Sequence, residues 1–159
     1  MKKVTIIAIT DKGIEQAVLL QKQFPKSLVI STRETTNESV SKVDSISAYL
    51  ATNFSKLDGI CFVSALGICV RTIAPFLDDK TKDPAVICLD DLGVHVQSVL
   101  SGHKGGANDF ALKVAQLVGG QGIISTSSDV QHLWPLDTLG TQFDWKTEGS
   151  LPIKDLMSL

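Results

Sequence analysis

The stretch Val94-His95-Val96-Gln97-Ser98-Val99-Leu100-Ser101-Gly102-His103-Lys104-Gly105-Gly106-Ala107-Asn108-Asp109 decides how the chain is read. Its first part, through Val99, is rich in β-branched residues and reads as a strand. From Ala107 onward, Phe110, Ala111, Val114, Ala115 and Val118 recur at helical spacing, and Gly119-Gly120 supplies a stop. Between the two lies a turn with glycines at 102, 105 and 106, a histidine, a lysine, a hydroxyl and an amide. Glycine in such a turn serves left-handed backbone or close approach. The start of the following helix carries N–H groups with no intrahelical partner, which suits an anionic ligand. Read by itself, the turn fits a plain strand-to-helix connection and a binding loop equally well.

Working outward, residues 85–89 and 94–99 form two strand-like runs around Asp90-Asp91-Leu92-Gly93. So short a connection forces an antiparallel pair. Further strands are predicted at 4–9, 28–30, 59–64 and 122–125, and helices over 14–24, 43–54 and 68–77. Thr10 or Asp11 caps the first helix. Residues 31–42 read as a polar surface connection, 65–67 as a turn and 78–84 as an exposed charged loop. The strand runs are continuous rather than alternating, as in strands covered on both faces. Together these elements predict an α/β fold: a three-layer, mostly parallel, Rossmann-like open sheet with one antiparallel hairpin. Residues 1–140 are expected to form this domain, and 141–159 a linker or the start of a further domain.

The chain has 159 residues, 43% hydrophobic and 20% charged, which fits one globular domain with its own core. A net charge of -2 gives no electrostatic reason to expect nucleic acid. No apolar run reaches membrane-spanning length, and Met1-Lys2-Lys3 leads into a strand-sized run rather than a secretory leader. A cytoplasmic protein with no membrane partner is expected. Cys61, Cys69 and Cys88 have no CxxC spacing and read as buried, reduced thiols.

In open α/β sheets the ligand crevice lies beyond the carboxyl ends of the strands. Four turns are expected to converge at one such rim: residues 10–13, 64–67, 101–108 and 125–129. His103 is the candidate acid–base residue, with a backbone-bonded loop histidine as the plainer role. His95 and His132 read as structural or solvent-facing, and three scattered histidines make no metal site. Arg71 could clamp a carboxylate or form a surface ion pair with Asp78 or Asp79. Ser101 beside His103 invites a nucleophile–base reading, but the G-x-S-x-G elbow and a third triad member are missing. Asp11 and Asp129 are candidate bases whose ordinary role is capping. Nucleotide-binding glycine signatures are absent.

Two segments are more specific. One is Ala65-Leu66-Gly67-Ile68-Cys69-Val70-Arg71-Thr72-Ile73-Ala74-Pro75 with Lys80-Thr81-Lys82-Asp83-Pro84-Ala85-Val86 downstream. The other is Leu100-Ser101-Gly102-His103-Lys104-Gly105-Gly106-Ala107-Asn108 leading to Ile124-Ser125-Thr126-Ser127-Ser128-Asp129. In this order they resemble the amino-terminal region of the cobalt-precorrin-5A hydrolases (the CbiG family) of anaerobic cobalamin biosynthesis. Ile9-Thr10-Asp11-Lys12-Gly13 is similar to that family's first strand-turn-helix.

The resemblance implies opening of the δ-lactone of cobalt-precorrin-5A, with release of the extruded two-carbon unit as acetaldehyde. It implies a macrocyclic substrate ringed with carboxylates. His103 would be the general base toward water, Ser101 its catalytic neighbour, and N–H groups near Gly105 and Gly106 the oxyanion donors. Thr10, Asp11, Gly67, Arg71, Gly102, Gly105, Gly106, Asn108, Thr126 and Asp129 would bind substrate. The cobalt belongs to the substrate, so no cofactor and no protein metal site are expected. Relatives commonly carry an apolar residue where Lys104 stands, and they continue into a further carboxy-terminal domain. Expected partners are therefore other domains of the same polypeptide or a fused corrin-pathway enzyme such as a precorrin methyltransferase, with a homodimer left open. The alternative is a non-catalytic corrinoid-binding or interaction domain.

Overall fold

The computed structural model describes residues 1–103 and 105–126. In chain order the elements are β1 (Val4–Ala8), α1 (Asp11–Gln23), β2 (Leu28–Ser31), β3 (Val40–Lys42), α2 (Ile46–Asn53), β4 (Gly59–Val63), α3 (Leu66–Ile73), β5 (Ala85–Leu89), β6 (His95–Leu100), α4 (Ala107–Val118) and β7 (Gln121–Ile123). The strands form one seven-stranded sheet in the order β3-β2-β1-β4-β5-β6-β7. β1 to β5 are mutually parallel, β6 runs antiparallel to β5, and β7 runs parallel to β6.

The three layers follow from alternation along the buried strands. Ile6, Ala8, Val63 and Leu89 point to the face that α1 and α4 cover with Ile14, Ala17, Leu20, Phe110 and Val114. Ile7, Ile30, Phe62 and Val86 point to the other face, covered by α2 and α3 through Leu50, Cys69 and Ile73. The central strands are buried on both sides, so their sequences lack polar alternation. The three cysteines are free and buried, and burial pushes the Cys61 thiol far above its ordinary value.

The expected α/β architecture, the hairpin at 90–93 and the helix from Ala107 are all present. Thr10 is the cap of α1: its hydroxyl accepts from the Gly13 N–H at 2.9 Å. Three expectations are corrected. Residues 40–42 form an edge strand, β3, inside what the sequence suggested was a surface connection. α3 starts at Leu66, where a turn was expected, with Ala65 in extended backbone before it. α3 also ends early, because Pro75 has no N–H to continue the ladder and residues Ala74–Phe76 tighten into a 3-10 turn. The boundary at 140, the segment 141–159, Trp134 and Asp129 lie outside the described residues.

The order β3-β2-β1-β4-β5 is that of a doubly wound sheet, with its switch point between β1 and β4. The reversal at 90–93 sends β6 and β7 the opposite way. Their carboxyl ends therefore open on the rim where β1, β4 and β5 begin.

Candidate functional site

The four turns expected to share one rim occupy two, set apart by the length of five-residue strands, about 16 Å. Residues 10–13 and 64–67 lie at the switch-point rim; residues 101–103, 105, 106 and Thr126 lie at the other. The expectation failed because it treated every strand end as parallel, and β6 is not.

At the switch point the chain fills its own crevice. The 90–93 turn reaches across the end of β4, and Asp91 Oδ2 accepts from the Thr10 hydroxyl at 2.7 Å. A carboxylate therefore already sits beside the first turn of α1, where a doubly wound fold would offer N–H groups to an anion. Asp91 Oδ1 is buried, with no hydrogen-bond partner among the described residues. Asp90 shapes the same turn by accepting from the N–H groups of His95, Leu92 and Val94 at 2.7, 3.0 and 3.2 Å. Asp11, at the start of α1, is held in an exposed ion pair. Arg33 grips it with Nε and Nη2 at 2.5 and 2.8 Å, and these hydrogen bonds hold its carboxyl below the usual range.

Gly67 and Arg71 lie on α3, and neither reaches the Thr10 cluster through any hydrogen bond or ion pair. A Cβ on Gly67 would meet nothing within 4 Å. Arg71, in the last turn, forms no ion pair among the described residues; Asp78 pairs instead with Lys82 at 3.6 Å. Around them Leu66, Ile68 and Val70 are 42%, 42% and 46% exposed, an uncommonly apolar outer surface for a short helix.

The glycine-rich loop is more tightly constructed. Ser101 has φ 58°, the only positive value at a non-glycine among the described residues. Its hydroxyl donates to the Asp83 carbonyl at 2.9 Å, tying the loop after β6 to the loop before β5. The two identifying segments of the sequence thus meet in space. Gly105 presses onto Ser101: a Cβ there would lie 2.4 Å from Ser101 Cβ and 2.7 Å from its carbonyl oxygen. Gly106, at φ 81°, then turns the chain into α4.

Asn108, 6% exposed, cross-links three elements. Its Oδ1 accepts from Ser98 on β6 at 2.7 Å, its Nδ2 donates to Thr126 after β7 at 2.9 Å, and its N–H donates to the Gly102 carbonyl at 3.1 Å. A Cβ on Gly102 would come within 2.7 Å of Asn108 Oδ1.

This closure revises the reading of the loop as a set of unpartnered N–H groups. The N–H groups of Gly106, Ala107 and Asn108 already donate to the carbonyls of His103, Ser101 and Gly102, at 2.9, 3.1 and 3.1 Å. Gly106 is therefore removed as an oxyanion donor, while the Gly105 N–H has no acceptor among the described residues. Ser101 gives its only hydroxyl proton to Asp83, so the arrangement does not activate it as a nucleophile. His103 is half-buried at the outer bend of the loop. Ser98 and Asp83 are site residues that sequence reading missed. The lone hydroxyl in the β-branched run was the available signal for Ser98; Asp83 stood inside an identifying segment, but nothing there marked its carbonyl as an acceptor. Among the described residues no group of three His, Cys, Asp or Glu side chains gathers to hold a metal. None of their helices is long and apolar enough to cross a membrane.

Fold and site together define a doubly wound α/β domain, closed at its switch point, whose constructed loop follows the reversed strand. The chain belongs to the family described as Cobalamin synthesis G N-terminal, whose model matches residues 48–129. It is 39% identical over 151 residues to a cobalt-precorrin-5A hydrolase of Priestia megaterium, covering 91% of this chain and 40% of that protein. It is 43% identical over 91 residues to the one of Salmonella typhimurium, covering 57% of this chain and 26% of that protein. The chain thus spans well under half the length of these relatives. A solved structure described as that of a cobalamin biosynthesis protein G homologue from Sulfolobus solfataricus has the same fold. It superposes with a TM-score of 0.61 at 18% identity, covering 95% of this chain and 51% of that one.

Proposed function

We propose that this chain is the amino-terminal part of a cobalt-precorrin-5A hydrolase and that it carries the lactone-opening site. The names and identities of the relatives support the activity. The observation that carries the location is the locked loop: backbone strain at Ser101 is held by the Gly105 contact and the Asp83 hydrogen bond, with His103 at its bend. Strain maintained by its surroundings is a mark of functional sites.

In this reading His103 takes a proton from water, which adds to the δ-lactone carbonyl. The Gly105 N–H faces the oxyanion. The ring C–O bond breaks, and the departing oxygen keeps the electron pair and receives the proton. That oxygen then forms the aldehyde C=O as the carbon–carbon bond to the macrocycle breaks. The pair from that bond stays on the macrocycle and takes up the hydroxyl proton, and acetaldehyde leaves. Ser101, Gly102 and Asn108 position the loop. The cobalt travels with the substrate, and we place the reaction in the cytoplasm. Thr126 and Asn108 stay in the proposed substrate-binding set; Thr10, Asp11 and Gly67 belong to the other rim.

Incubation with cobalt-precorrin-5A and assay of acetaldehyde tests this directly: release is expected, and none would overturn it. The exposed aliphatic surface of α3 favours a second reading, a corrinoid-binding or interaction module of a longer polypeptide. Corrinoid binding without acetaldehyde is the result that selects it.

A further inference from the structure

The two rims differ in charge, and the difference is sharpened by which groups are already paired. At the switch-point rim Lys12 is engaged by Glu15, Arg33 by Asp11 and Lys42 by Glu34, while Arg71, farther along α3, has no ion pair among the described residues. Asp44, Asp90 and Asp91 add further negative charge there.

At the rim of the glycine loop the cations are more numerous and mostly lack an ion-pair partner. The connections at 1–3, 24–27, 54–58 and 77–84 carry Lys2, Lys3, Lys26, Lys56, Lys80 and Lys82. Only Lys82 has a carboxylate partner among the described residues, Asp78 at 3.6 Å. The acids of this rim keep their charge but are held by nearby donors, as Asp90 is at the other rim. Asp58 accepts from the N–H groups of Lys2 and Lys3 at 2.6 and 2.9 Å. Asp79 accepts from the Thr81 N–H and hydroxyl at 2.7 and 2.5 Å, and Asp83 from the Asp78 N–H at 3.2 and 3.3 Å. Asp109, in the first turn of α4, is the remaining acid near the loop.

The lysines also bracket the loop in space. On one side Met1 lies against it, with its Cε 3.6 Å from where a Gly106 Cβ would stand. Met1, Lys2, Phe24, Pro25 and Lys26 line a hollow of about 210 Å³ there. On the other side Lys80 lies in the hydrogen-bonded turn from Asp79 to Asp83, whose carbonyl holds Ser101.

We propose that this rim is the docking face for a polycarboxylate tetrapyrrole, and that Lys26 and Lys80 receive its peripheral carboxylates on the two sides of the glycine loop. The ligand class rests on the function proposed above; the location rests on the charge distribution alone. Unpaired lysines at one rim and surplus carboxylates at the other favour a polyanion at the glycine-loop end. The switch-point crevice, where doubly wound domains ordinarily bind, is closed by Asp91 and faces the wrong sign.

The test uses uroporphyrin, a tetrapyrrole octacarboxylate, as a fluorescent probe at low and high salt. Wild type is expected to bind it, more weakly at high salt. Lys26→Glu/Lys80→Glu is expected to weaken binding about tenfold or more and to flatten the salt dependence. Glu15→Lys/Asp44→Lys, at the opposite rim, is expected to stay within about twofold. Circular dichroism confirms that each variant is folded. No binding by wild type, unchanged affinity in the lysine variant, or an equal effect of the opposite-rim variant overturns the proposal. Acetaldehyde release measured in parallel separates the two ideas. Turnover indifferent to the lysines sinks the docking face alone; charge-dependent binding without turnover sinks the hydrolase reading alone.

Discussion

Ser101 holds a left-handed conformation that costs an L-residue about 1–2 kcal/mol, offset by a hydrogen bond to Asp83 worth about 1 kcal/mol. Ser101→Gly removes both and is expected to leave stability within about 1 kcal/mol of wild type in urea unfolding. It is also expected to retain turnover within about tenfold, because the hydroxyl positions the loop rather than attacking. Gly105→Ala is a different case. Its new Cβ would lie 2.4 Å from Ser101 Cβ, and neither backbone can give way cheaply. A loss of about 2 kcal/mol or more is expected. Gly106→Ala meets only Met1 at 3.6 Å and carries the φ 81° strain alone, so about 1 kcal/mol is expected. The ranking of these three by unfolding midpoint checks the loop packing.

Among the elements, α1 depends on Thr10 twice, through the cap to Gly13 and the bond to Asp91. Thr10→Val is expected to cost about 1–2 kcal/mol, read by thermal or urea unfolding. The 90–93 turn carries a pH signature. Burial pulls the Asp90 carboxyl up, but the N–H groups of His95, Val94 and Leu92 pull it down further, so its pKa in the fold lies below the ordinary value. A lowered folded-state pKa contributes stability that is present above the unfolded value, about 4, and is lost as the pH falls through the folded one. The stability difference between wild type and Asp90→Ala is therefore expected to be largest near neutral pH and to shrink below about pH 4. Most elements were legible because their signals are local: Val4 to Ala8 as a continuous apolar run, α4 by its stripe, the hairpin by its short turn. β3 was not legible, since three residues with one buried side chain carry no pattern and the strand exists only through its pairing with β2. The early end of α3 was legible at Pro75; its early start was not, because Ala65 offers no capping side chain.

For the molecule as a whole, the decisive feature is the single reversal after β5. Each turn was read correctly as following a strand, and His103, Ser101, Gly102, Gly105, Gly106 and Asn108 do form one loop system with Thr126. Which turns share a rim depends on strand direction summed along the sheet, a property no single window of sequence holds. The antiparallel hairpin was itself evident, and its consequence, that strand ends beyond it face the other rim, already separates Gly67 and Thr10 from His103. That separation makes the central claim testable. Gly67 sits in the first turn of α3 with open space around it, so Gly67→Ala is expected to be neutral or to stabilise by up to about 1 kcal/mol. The most direct measurement is acetaldehyde release from cobalt-precorrin-5A by wild type, His103→Gln and Gly67→Ala side by side. A loss of about a hundredfold or more in His103→Gln, with Gly67→Ala unchanged, is the result expected for a site at the glycine loop. Full turnover by His103→Gln together with a collapse in Gly67→Ala would contradict it and return the chemistry to the switch-point rim.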